Sequence, residues 1–241
     1  MPTTQADLGR NRTGIATSPE LTHDMLEGVK EFLPTSAGDE GVIGRVREGY
    51  AKDAEPLGSV PPPATLTGVA KTAVRGVRGA HPTQFIDKLG ERLGFERSGA
   101  RLYEALLSKF DAFGSFEGGP SRAELESILM DEHDHFRLLT EAVTKVGGDP
   151  TVMTPSADLH ATMSYGVLAV MVDARTTFAQ CLEAALLAEL ADNEGWEALV
   201  ELATQNGEED LATRFSAAKE REEEHLDNVR TWLRAAQHRP Q

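Results

Sequence analysis

The sequence predicts an all-α protein: a four-helix bundle with a long crossover connector and a partly helical N-terminal extension. Three observations carry this. Ala, Leu and Glu dominate the 241 residues while aromatics are 6% and alternating β-branched runs are scarce, a balance that favours helix. Apolar residues recur at three- and four-residue spacing through long runs in the C-terminal two thirds. Two passages ninety residues apart repeat one another, which is the mark of two related helical hairpins.

The expected organisation is an extension over residues 1–82 and a bundle over 83–241. Residues 1–17 are polar and read as disordered. Ser18-Pro19-Glu20 opens a helix, with Ser as cap and Pro in the first turn, and Leu21, Met25, Val29 and Phe32 form its apolar stripe up to Pro34. The Gly- and Pro-rich stretch that follows, ending in Pro61-Pro62-Pro63, reads as an extended linker. Leu66, Val69, Ala73 and Val77 then give a second short stripe flanked by Lys71, Arg75 and Arg78. This basic amphipathic helix is expected to pack on its own acidic bundle, with anionic lipid or an acidic partner as the alternative.

From Pro82 the periodicity sharpens. Phe85 to Phe113 is one helical run, closed by Gly114 and the Gly118-Gly119-Pro120 turn. Ser121 caps a second run to about Val146, ended by Gly147-Gly148. Residues 149–176 form a connector with its own helix, started by Thr154-Pro155. Phe178 to Gln205 is the third bundle helix and Glu208 to Gln237 the fourth.

The repeat sets Glu96 on Glu189, Tyr103 on Trp196, and Glu-Ala-Leu on Glu-Ala-Leu. Downstream, Glu132-x-x-His135 matches Glu222-x-x-His225, 36 residues after Glu96 and 33 after Glu189. Glu and His three apart stand on one helix face. Glu96 interrupts the apolar stripe of Leu89, Leu93, Ala100, Tyr103, Leu107 and Phe110, whereas Glu104 falls with Arg97, Arg101, Ser108 and Asp111. Glu189 shares its stripe with Leu182, Trp196, Val200 and Ala203, whereas Glu183 and Glu197 do not. Glu132 and His135 lie with Leu125, Ile128, Leu129, Leu139 and Val143. Glu222 and His225 lie with Phe215, Ala218, Val229 and Trp232, and His133, Asp134, Glu223 and Glu224 point elsewhere. Antiparallel hairpins put all six groups at similar height.

Four ionised carboxylates in an apolar interior are very costly unless they protonate or bind cations. Two divalent ions satisfy them, with one His each, a terminal carboxylate each and two shared carboxylates; which Glu bridges is open. Oxygen and imidazole donors without thiolate suit iron or manganese, with zinc as a further choice. A net charge of -15 (24 basic against 39 acidic residues) excludes generic nucleic-acid binding. Cys181, the single cysteine, excludes an internal disulfide and cysteine-based metal sites. No apolar run has the length of a membrane span and no signal-peptide pattern opens the chain, so the expected location is the cytoplasm.

In these residues the chain resembles the ferritin-like superfamily of di-metal carboxylate proteins: Glu, then Glu-x-x-His, repeated once on four helices, over about residues 83–237. Among its members it is most similar to the uncharacterised bacterial ferritin-like domain proteins. The resemblance implies metal ligation by Glu96, Glu132, His135, Glu189, Glu222 and His225, around two Fe ions or alternatively two Mn ions. It implies redox chemistry with dioxygen or peroxide, of ferroxidase, peroxidase, catalase or oxygenase type. The absence of rubredoxin-type cysteine pairs separates the chain from a complete rubrerythrin. Tyr103, two turns beyond Glu96, is a candidate to hydrogen-bond a ligand or relay an electron, and Trp196 holds the matching place. The alternatives are iron sequestration without turnover, manganese-catalase-like activity, or a non-catalytic helical adaptor. A homodimer through an exposed bundle face is a further expectation.

Overall fold

A computed structural model describes residues 18–32, 38, 40–62 and 82–237. The expected disorder of 1–17 and the basic helix of 66–78 lie outside the described residues. The chain divides into two units, residues 1–54 and 55–241. Every regular element among the described residues is an α-helix, and none of these helices is long and apolar enough to cross a membrane.

The first unit contains α1 (Pro19–Glu31) and α2 (Glu40–Asp53). Ser18 stands at the N-cap of α1, but its side chain makes no capping bond. The stripe of Leu21, Met25, Val29 and Phe32 is exposed, and α1 buries no residue. α2 corrects the linker expected after Pro34. Its glycines, Gly41, Gly44 and Gly49, mask a run in which Val42, Val46 and Tyr50 recur every four residues. Glycine costs a helix about 1 kcal/mol at each position but does not forbid it, and Lys52 is paired with Glu48 one turn away at 2.6 Å.

The second unit contains α3 (Pro82–Phe113), α4 (Arg122–Val146), α5 (Pro155–Val172), α6 (Phe178–Gln205) and α7 (Glu209–Gln237). Local chemistry fixes their ends where the sequence predicts. Ser121 and Glu124 form a capping box at the start of α4, and Gly147, at φ 97°, closes it in the left-handed conformation. Thr177 and Gln180 form a second box at α6.

α3 packs with α4 and α6 with α7 as two hairpins, joined through the α3–α6 contact; α5 lies on both α3 and α6. Side-chain bonds set the course of α5. At its start Thr154 Oγ1 donates to the Asp87 carbonyl at 3.0 Å, and Ser156 donates its backbone N–H and its hydroxyl to the Asp87 carboxylate at 2.9 and 2.7 Å. At its end Lys109 Nζ donates to the carbonyls of Asp173 and Thr176 at 2.5 and 2.9 Å. α5 therefore runs the length of α3, in the same direction, from Asp87 to Lys109. It returns the chain so that α6 begins beside Phe110, whose ring meets Phe178 at 5.9 Å.

The core has two apolar clusters. One gathers Phe85, Leu89, Leu139, Val143, Trp196, Leu199 and Phe215; the other gathers Leu102, Leu106, Leu125, Ile128, Leu182, Val229 and Trp232. On each of α3, α4, α6 and α7 the buried acidic residues fall between the two clusters. The interior is thus apolar, then polar, then apolar along the helix axes.

Leu89 and Leu199 are fully buried in the first cluster. Replacing either by Ala is expected to destabilise the fold by about 2–5 kcal/mol. Truncating exposed Phe32, at the C-cap of α1, to Ala is expected to change stability by less than about 0.5 kcal/mol, both read by denaturant unfolding.

Candidate metal centre

The polar layer is built by one turn from each of four helices. α3 places Glu96, α4 places Glu132 and His135, α6 places Glu189, and α7 places Glu222 and His225; all six are buried. The solvated alternatives Glu104, Glu183, Glu197, His133, Asp134, Glu223 and Glu224 are exposed.

Glu222 stands at the centre. His135 Nδ1 lies 2.6 Å from Glu222 Oε1 and 3.7 Å from Glu96 Oε2. His225 Nδ1 lies 3.0 Å from Glu222 Oε2, and its Nε2 lies 3.2 Å from Asp131 Oδ2. Ligand atoms of Glu96, His135 and Glu222 come within 4.8 Å of one another, as do those of Glu132, Glu222 and His225. Glu96, Glu132, Asp192 and Glu222 form a third such set. Glu222 belongs to all three sets, so it is the carboxylate best placed to be shared. Glu189 belongs to none of them and accepts a hydrogen bond from the Tyr103 hydroxyl. The two helices of the second hairpin are tied at this level by Asn193 on α6: its amide donates to the carbonyls of Glu189 and Glu222 at 2.9 and 3.0 Å.

The sequence reading missed four of these residues. Arg92 donates to Glu96 Oε1 at 2.5 Å and forms a close ion pair with Asp192; both are buried. The guanidinium also lies 4.2 Å from the Phe95 ring centroid. Arg92 and Asp192 carry the same periodic signal as the glutamates, one turn before Glu96 and three residues after Glu189. Asp131 is half-buried beside His225 and fixes that ring by its outer nitrogen. Gly99 is the fourth: a Cβ there would overlap the Glu132 carboxylate, and one at Gly195 would overlap Arg92. Trp196, opposite Tyr103 in the repeat, packs its indole against the His135 ring at 5.2 Å.

Burial and mutual charge shape the protonation. Burial pushes the Glu132 carboxyl well up, and the neighbouring Glu222, Glu96 and Glu189 add to it. Burial, then the Glu222 charge, pushes Glu189 up, against the pull of His225 and Tyr103. Burial opposes the charged imidazoles, yet the carboxylates outweigh it: Glu222 and Glu96 hold His135 up at about 9, and Asp131 and Glu222 hold His225 up at about 10. Burial works to raise Glu222, but the imidazoles of His135 and His225 beside it bring it down to about 2. Tyr103 is pushed well above its usual range by burial and by Glu189, so it remains a donor.

Even with these contacts, one oxygen of each glutamate (Oε2 of Glu96, Glu132 and Glu189, and Oε1 of Glu222) is buried without a hydrogen-bond partner. His135 Nδ1, although close to Glu222, also lacks hydrogen-bond geometry. Buried polar atoms left in this way are costly. The converging oxygens and imidazole nitrogens form a donor set that fits divalent cations. The chain matches no family of known proteins, no curated protein and no solved structure.

A pH dependence follows for the metal-free protein. His135, His225, Glu132 and Glu189 all have folded pKa values above their ordinary 6.5 and 4.5. A raised folded pKa gives stability that is present below the unfolded value and lost as pH rises through the folded one. Glu222, shifted the other way to about 2, acts only below its ordinary 4.5. The melting temperature after chelation is therefore expected to fall as pH climbs from about 5 to about 10. Saturating divalent metal, which requires the deprotonated ligands, is expected to flatten that slope.

Proposed function

We propose that the chain is a ferritin-like four-helix protein that holds a dinuclear metal centre, iron or alternatively manganese, and carries out dioxygen- or peroxide-dependent redox chemistry. The observation that carries this reading is the buried layer of four glutamates and two histidines, with an oxygen on every glutamate that lacks a hydrogen-bond partner. The arrangement of the helices supports it as well. Two hairpins are joined by a connector that runs the length of α3, which leaves all four acidic turns at one level.

Glu96, Glu132, His135, Glu189, Glu222 and His225 would hold the ions. When bound, a redox-active pair of ions supplies two electrons together to dioxygen or peroxide. The rest of the layer positions and balances these ligands. Asp131 anchors His225 by Nε2 and leaves Nδ1 turned to the interior. Tyr103 keeps its proton, donates a hydrogen bond to Glu189 and orients that side chain from the opposite hairpin. Arg92 balances the charge of Glu96 and Asp192. The two apolar clusters exclude water above and below.

A second reading is an interior polar network without metal, favoured by Arg92, whose fixed charge already compensates two of the acids. Elemental analysis of untagged protein separates the two. About two Fe or two Mn per chain are expected, falling below about one in the Glu132→Ala, His225→Ala double variant. Purified protein without metal, which takes up none on anaerobic loading, would establish the polar network instead. Loaded protein exposed to an oxygen pulse is expected to oxidise ferrous iron; a single stoichiometric event that then stops would indicate sequestration rather than turnover.

A further inference from the structure

A line of cavities follows the groove between α3, α5 and α6. The central one, about 250 Å³, is walled by Phe95, Gly99 and Leu102 from α3, Met163 and Val167 from α5, and Ala188 from α6. Its lining is almost wholly apolar. Met163 and Leu187, 64% and 61% exposed, form its mouth.

Each end of this cavity leads to something different. Toward the start of α3 it shares His160, Met163 and Ala191 with a second cavity of about 320 Å³ whose wall carries Lys88, Glu91, Arg92 and Glu194. His160 stands at that junction, its ring 4.7 Å from Phe95 and its Nε2 buried without a hydrogen-bond partner. Toward the end of α3 it shares Leu102 and Ala188 with a void of about 10 Å³, room for one water, lined by Tyr103 and Glu189. Gly99 in its wall is also the residue on which the Glu132 carboxylate rests. The groove thus passes from a charged rim, past His160, whose Nδ1 faces Glu91 at 3.9 Å and whose Nε2 is unbonded, along apolar walls to the edge of the carboxylate layer.

We propose that this cavity binds the aliphatic chain of a small amphiphile, with the polar head at His160 and the chain end against the Glu189 side of the layer. A cavity of 150 Å³ is known to hold benzene, so 250 Å³ takes about ten carbon atoms. An apolar pocket with a few placed polar groups at one end selects such a molecule over a fully polar one. The ligand's role as substrate rests on the dinuclear centre proposed above; its binding does not.

Calorimetric titration of the full chain with decanoate and with 1-decanol tests this, on chelated and on metal-loaded protein. Saturable binding of about one molecule per chain is expected in both forms. Met163→Glu places a carboxylate at the mouth on an exposed residue, and Ala188→Leu fills the inner end. Each is expected to weaken binding about tenfold or more, and Met163→Glu, on an exposed residue, to leave melting temperature and metal content near those of the parent. No saturable binding of either probe, or affinities untouched by both variants, overturns the proposal. So does a dimer in light scattering that Met163→Glu dissociates while neither probe binds, which would assign the mouth to a second copy. Probe binding in a chain that takes up no metal keeps the cavity and removes the dinuclear reading; metal uptake without probe binding does the reverse.

Discussion

Burying four carboxylates between two apolar clusters is the constraint on which the second unit turns. Each ionised carboxylate moved from water to such an interior carries a penalty of several kcal/mol after relaxation. The surrounding residues answer it one by one. Arg92 faces Glu96 and Asp192, the two imidazoles flank Glu222, and Tyr103 serves Glu189. The answer is incomplete, because each glutamate retains an oxygen with no hydrogen-bond partner. A fold selected for stability alone would place apolar side chains here, which pack at lower cost. That incompleteness is what supports the proposed reading of the layer as a metal centre.

The rest of the unit holds that layer at one height. Thr154 and Ser156 fasten one end of the connector to Asp87, and Lys109 fastens the other. Because the connector spans α3, the second hairpin enters from the far end, and its acidic turn meets the first near mid-helix. Asn193 then fixes the axial register of α6 against α7 by bonding carbonyls on both. These contacts have little to do with metal chemistry directly, yet they determine whether six side chains from four helices can converge.

Much of this was legible in the sequence, and the reasons are particular. Glu96 and Glu189 stood out because a charge on an apolar stripe is conspicuous, and the repeat tied each to a Glu-x-x-His. The helix ends were legible because Ser121, Thr154 and Gly147 carry capping chemistry that needs no tertiary partner. Arg92 escaped notice because a lone arginine reads as solvated, and only the fold shows the buried Asp192 opposite it. Asp131 escaped because its partner, His225, lies 94 residues away on another helix. α2 escaped because three glycines lower helix propensity without abolishing it. The central place of Glu222, common to all three sets of ligand atoms, depends on side-chain positions, which no periodicity encodes.

The repeat is not symmetric where it matters, and Gly99 shows what that does. Its counterpart in the second hairpin is Asp192, and the counterpart of Arg92 is Ala185. On one flank, Arg92 lies over Gly195 and binds Asp192, which closes the layer with charge. On the other, Ala185 and Leu102, the counterpart of Gly195, leave the small void beside Glu189. These differences make the two flanks of the layer unequal: a buried ion pair stands on one, and a small void on the other. Two hairpins that repeat one another in sequence therefore present the carboxylates with unlike surroundings, charged at one flank and apolar at the other.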